Sequence, residues 1–194
     1  MRDLLLKKID EHINVFKEIK DSEEIIESIS SAAKTIYESI NKGKALYLCG
    51  NGGSAADSQH IATEFVSKFY IERKAINAEA LTVNTSSLTA ISNDYSFENV
   101  FVRQIEAKGD PGDVLLAIST SGRSANVVKA CEFAANMGIH TILMTGNLED
   151  EFNPDVFEFV IRIPSDDTPR IQEGHIFVGH LLAEYVESLM IKEQ

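Results

Sequence analysis

Residues 45–65, ALYLCGNGGSAADSQHIATEF, carry an apolar run, a loop with three glycines in four positions, and then a helical stretch. A short apolar strand that runs through such a loop into a helix opens an α/β unit. Gly50, Gly52 and Gly53 permit left-handed dihedrals and close backbone approach, and Ser54 is placed to cap the helix that follows. The loop suits an anionic or polar group at a helix amino terminus, or it is simply a tight turn. No Gly-Lys-Ser/Thr follows, and the Gly-x-Gly-x-x-Gly spacing of dinucleotide sites is absent.

Working outward, further apolar runs at 80–83, 114–118, 141–144 and 157–163 predict four more strands. Helices are predicted between and after them at 55–69, 86–92, 98–107, 124–137 and 170–191. Nearly continuous apolar strands alternating with helices indicate a parallel sheet covered on both faces, with ligands at the carboxyl ends of the strands. Upstream, Leu4, Leu5, Ile9, Ile13, Phe16 and Ile19 recur at helical spacing, as do Ile25, Ile29, Ala32, Ile36 and Ile40. Either Asp21-Ser22 breaks the two helices or the pattern runs through it, and Lys42-Gly43-Lys44 is the expected stop. The chain therefore reads as one domain over 1–194, a helical segment (1–43) followed by an α/β core (44–194). An exposed apolar face on the helical segment would need burying, and a partner subunit is one way to do it.

Lys and Arg number 18 against 30 Asp and Glu, a formal net charge of −12, which argues against a nucleic-acid partner. A phosphorylated small molecule is not excluded, because backbone N–H groups and hydroxyls can hold it. Cys49 and Cys131 lie in apolar segments and form no CxxC pair, as expected of buried thiols in a reducing compartment. The amino terminus has charges every few residues, so neither a signal peptide nor a membrane span is expected, and a cytoplasmic location follows.

After the run 114–118 comes Ser119-Thr120-Ser121-Gly122-Arg123-Ser124, with four hydroxyls in six positions. Between a buried strand and a helix these form a neutral cradle for a phosphate dianion. His60 and Glu64, four apart, share one face of the helix leaving the glycine loop, as a metal pair, a base with its partner, or a surface pair. On the last helix Gln172 and His180 are eight apart, about 12 Å along the axis and about 80° around it. They can meet one small ligand only if it sits between the two turns. His175 is turned away from His180 and reads as a solvent or interface histidine.

The segments CGNGGSAADSQHIATEF (49–65), SNDYSF (92–97), GDVLLAISTSGRSANV (112–127) and RIPSDDTPRIQEGHIFVGH (162–180) resemble a sugar isomerase (SIS) domain. Within that superfamily they resemble the sedoheptulose 7-phosphate isomerase, or phosphoheptose isomerase, family. The resemblance implies a flavodoxin-like five-stranded parallel sheet with helices on both faces, in a homotetramer. It implies conversion of sedoheptulose 7-phosphate to D-glycero-D-manno-heptose 7-phosphate, the first step toward the heptose of bacterial lipopolysaccharide or capsule. It assigns Ser119, Thr120, Ser121 and Ser124 to the phosphate, and Asn51, Gly52, Gly53, Ser54, Asn93 and Asp94 to the sugar, joined by Glu64 and Gln172. It gathers His60, Glu64, Gln172 and His180 around Zn²⁺, about one per subunit, with the cluster open to assembly across a subunit boundary.

Ketose-to-aldose isomerisation moves a proton between C1 and C2 through an enediol, so it needs a base near carbon and an acid near oxygen. Glu64 suits the base and His180 the acid, while zinc would polarise the carbonyl. Ligand and base roles compete at Glu64. Lys68, and Thr168-Pro169 before Arg170, depart from the commoner family pattern without touching these four residues. Two other readings use the same scaffold: a non-catalytic binding protein of the replication-initiator-associating type, and another sugar-phosphate isomerase. Relatives of the first kind lack the acidic residue that this chain keeps at Glu64.

Overall fold

The computed structural model describes residues 1–147, 152–153 and 155–192. Two helices, α1 (Arg2–Asp21) and α2 (Glu23–Asn41), meet at Ser22, whose hydroxyl accepts from Ile25 N and so caps α2. Gly43, at φ 76°, stops α2. There follow β1 (Leu46–Gly50), α3 (Gly53–Val66), β2 (Ala78–Ala80), α4 (Thr85–Asp94), a 3-10 turn (Phe97–Asn99), α5 (Val102–Lys108), β3 (Val114–Ile118), α6 (Ala125–Asn136), β4 (His140–Thr145), β5 (Phe159–Arg162) and α7 (Thr168–Lys192).

The five strands form one parallel sheet in the order β2-β1-β3-β4-β5, with Leu46 level with both Ala78 and Val114. Alternate side chains of each strand point to opposite faces, and each face carries its own core. Leu46, Leu48, Leu116, Ile118, Ile142 and Met144 pack under α2, α3 and α7. Tyr47, Cys49, Leu115, Ala117 and Leu143 pack under α5 and α6, where Cys131 meets them. Both cysteines are free and fully buried. Burial pushes the Cys49 thiol up to about 12 and the Cys131 thiol well above its ordinary value.

Several boundaries differ from the sequence reading, three of them most. The second strand lies at 78–80 rather than 80–83, because Leu81 gives its N–H to Leu48 O and the chain then turns away. The helix expected over 98–107 splits into a 3-10 turn and α5. The helix expected to reach Phe69 ends at Val66. On α1 only Val15 and Ile19 are buried, while Leu4, Leu5, Ile9 and Ile13 are 41–59 % exposed. Among the described residues no helix is long and apolar enough to cross a membrane.

Candidate active site

The turn from β1 into α3 is as tight as its glycines allow. A Cβ on Gly50 would stand 2.7 Å from Ser54 O. Gly52 takes φ 56°, and it, not Ser54, is the N-cap of α3, with no side-chain hydrogen bond. Ser54 falls inside the first turn, buried, its carbonyl accepting from Ser58 Oγ at 2.8 Å. The capping role expected for Ser54 is therefore absent.

The hydroxyl loop leaves β3 in the equivalent place. Ser119 and Ser124 are 3.0 Å apart through their Oγ atoms and tie the loop together, and Gly122 turns it at φ 60°. Thr120 and Ser121 instead border a cleft of about 230 Å³, with Asn147, Ser165, Asp166, Thr168 and Ile171. The first turn of α7 opens onto that cleft and α6 starts at the end of the same loop, so two helix amino termini lie near it. A wider cleft of about 750 Å³ lies against α6 beyond Gly122 and Arg123 and is lined by neither candidate histidine.

The strand order reverses between β1 and β3, the place where open parallel sheets bind ligands. Here Asn51, from the glycine loop, and Asn126, from the first turn of α6, hydrogen-bond each other reciprocally. Asn126 is buried, and its part went unread in the sequence, where it looks like any polar helix residue.

Helices α3 and α7 cross with almost no space between them. A Cβ on Gly179 would overlap Ile61, which is fully buried. That approach brings His60 and His180 together, Nε2 to Nε2 at 3.0 Å, with Glu64 Oε1 3.4 Å from His60 Nε2. One donor atom from each of the three lies within 4.8 Å of the others. Nitrogens so close need a single hydrogen between them, one ring donating and one accepting. Two imidazoles and a carboxylate also suit a divalent ion. Ligands about 2.0–2.1 Å from a tetrahedral zinc stand roughly 3.3 Å apart, close to the two shorter separations here. The cluster forms within a single chain.

Phe69 flanks His180, their ring centroids 5.6 Å apart. Asp57, one turn before His60, has its carboxyl pushed up by burial, against the opposing influence of His60, and its Oδ2 is buried without a partner. Gln172 stands elsewhere: its Nε2 would be 2.6 Å from a Cβ on Gly53. Gly53 precedes His60 by seven residues, about 10 Å along α3. Along α7, Gln172 thus lies between the cleft and the three-residue cluster. Asn93 and Asp94 end α4, exposed, with Asn93 Nδ2 donating to Asp94 Oδ1 at 2.8 Å. His175 is not at a surface. It is fully buried, because α7 presses that side so close to the sheet that a Cβ on Gly174 would stand 2.6 Å from Ile163. Burial lowers its pKa to about 4, partly opposed by the backbone of Thr145, and neither ring nitrogen makes a hydrogen bond of ordinary geometry.

The SIS domain family matches residues 9–146. The phosphoheptose isomerase of Clostridium acetobutylicum is 47 % identical over 194 residues, covering all of this chain and 98 % of the relative. That of Aneurinibacillus thermoaerophilus is 42 % identical over the same span, again with 98 % of the relative covered. Among solved structures, phosphoheptose isomerase GmhA from Neisseria gonorrhoeae superposes with a TM-score of 0.87 at 35 % identity, covering 96 % of this chain and 98 % of that one. A phosphoheptose isomerase from Francisella tularensis superposes at 0.89 with 30 % identity, covering 96 % and 97 %. With its sheet order, its glycine and hydroxyl loops and its His-Glu-His cluster, the chain belongs to the SIS-domain phosphoheptose isomerase family.

Proposed function

We propose that this chain converts sedoheptulose 7-phosphate to D-glycero-D-manno-heptose 7-phosphate, on the way to surface-polysaccharide heptose. The observation that carries this reading is the cluster of His60, Glu64 and His180 where α3 and α7 cross. Thr120 and Ser121, with the helix ends around them, take the phosphate, while Ser119 and Ser124 hold the loop in shape. Gly52, Gly53, Ser54 and Gln172 border the sugar, and Asn51 offers its backbone because its amide is spent on Asn126. Asn93 and Asp94 complete the sugar site.

Glu64 takes the proton from one sugar carbon and returns it to the next, and His180 exchanges a proton with the oxygens. Glu64 Oε1 faces His60, while Oε2 makes no hydrogen bond among the described residues and is the oxygen suited to the base. Zn²⁺ held by His60, Glu64 and His180 would stabilise negative charge on the enediolate. Gln172 is the fourth ligand in this reading, and its distance from the other three within one chain favours assembly with a second copy. The exposed apolar face of α1 supports a homotetramer, and the buried free thiols support a cytoplasmic location.

Incubation with sedoheptulose 7-phosphate, with and without chelator, followed by NMR of the sugar tests the reading. Conversion that stops on chelation and resumes with zinc supports it. No conversion by the zinc-loaded protein overturns it.

A further inference from the structure

Beyond Glu64 the chain leaves α3 and runs irregularly over α7 before reaching β2. One buried ion pair organises that segment. Arg73 Nε donates to Glu187 Oε1 at 2.8 Å, with both side chains almost wholly buried. Glu187 also accepts from the backbone N–H groups of Phe69 at 2.9 Å, Tyr70 at 2.8 Å and Ile71 at 3.2 Å. Burial by itself would raise the Glu187 pKa, but these donors outweigh it and hold the carboxyl below its ordinary value. The Arg73 guanidinium then caps the end of α3, donating to Glu64 O at 2.7 Å, Phe65 O at 2.8 Å and Ser67 O at 3.2 Å.

These contacts end on the cluster from both sides. Arg73 grips the backbone carbonyl of Glu64 itself. Glu187 lies seven residues after His180, two turns along nearly the same face of α7. The loop whose N–H groups it binds carries Phe69, which flanks the His180 ring. A pair that served stability alone need not touch the residue bearing the base and the loop against the acid. We propose that Arg73 and Glu187 are positioning residues that hold Glu64 and His180 in register for catalysis, an inference resting on the isomerase reading above.

The test uses the full-length protein and two readouts, steady-state kinetics and ¹H–¹⁵N spectra of the five imidazoles. Signals are assigned through His60→Gln and His180→Gln. In Glu187→Gln, well below its melting midpoint, kcat should fall about 10- to 100-fold, the effect of misplacing reacting groups by roughly an ångström. KM should stay within about threefold, since the phosphate loop is remote from the pair. The His60 and His180 signals should shift while that of His140 stays in place. If Glu187→Gln does not fold, Arg73→Lys is read in the same way, because lysine keeps the charge but lacks the planar fork. Unmoved His60 and His180 signals, or a kcat within about twofold of wild type, overturn the proposal. Should the wild type fail to turn over sedoheptulose 7-phosphate, the isomerase reading falls, and the imidazole spectra alone decide whether the pair positions the cluster.

Discussion

Asn51 and Asn126 exchange two hydrogen bonds, Nδ2 to Oδ1 in each direction, both 2.8 Å, between the glycine loop and the start of α6. The pair joins the loop expected at the sugar to the loop expected at the phosphate, so neither can shift alone.

Asn126→Ala is therefore expected to raise KM for the sugar phosphate more than it lowers kcat. It strands the Asn51 amide, at a cost of about 1–3 kcal/mol of stability. Denaturant unfolding and steady-state kinetics measure the two effects. A KM equal to wild type would show that the loops keep their spacing without the pair.

Glu64→Gln keeps the shape of the side chain and removes its basicity. Turnover is expected to drop at least about 100-fold, the usual scale for a lost general base. Phosphate binding, followed by calorimetry with inorganic phosphate, should be unchanged. Turnover near that of wild type would transfer the base role to another group.

His175 gives stability an acid dependence of known sign. Its pKa is about 4 in the folded chain against an ordinary 6.5. Above 6.5 the ring is neutral in both states and contributes nothing to the pH dependence. As pH falls from 6.5 toward 4 the unfolded chain binds a proton that the folded chain refuses, and stability drops by on the order of 3 kcal/mol. His175→Leu should remove this component, so the variant gains on wild type between pH 7 and pH 4. Parallel stability curves for the two proteins would show that His175 does not titrate on unfolding.

Gly179→Ala is expected to separate α3 from α7, since the new methyl overlaps Ile61, a branched side chain with no room to swing. Overpacking of this kind costs about 1–3 kcal/mol. Metal affinity and turnover should fall with it, as the two histidines move apart. Ile61→Ala in the same chain should recover part of each loss. A single variant as stable and active as wild type would show that the helices have slack.

Much of this molecule is legible in its sequence, for identifiable reasons. Val114–Ile118 reads to the residue because a central parallel strand is buried on both faces and is apolar throughout. Ala78-Glu79-Ala80 sits at the sheet edge with small and charged residues, so the apolar run after it drew the boundary two residues downstream. The end of α3 was hidden because Phe65, Val66 and Phe69 prolong the apolar pattern, while termination comes from Arg73 and Glu187, the latter more than a hundred residues away. In the site, the shared face of His60 and Glu64 follows from helical spacing. The arrival of His180 depends on a glycine in mid-helix, which spacing does not flag. His175 was misjudged because its angle on the helix says nothing about which side meets the sheet.

The two thiols turn one half of this protein into a clock. Cys49 on β1 and Cys131 on the inner face of α6 meet on the opposite side of the sheet from α3 and α7, and burial holds both in the unreactive thiol form. A thiol reagent can label them only when that half opens, so the labelling rate in the native protein times its opening. Ligand that tightens the α3–α7 half alone leaves the clock running at its old speed. Ligand that locks both halves through Asn51 and Asn126 slows it.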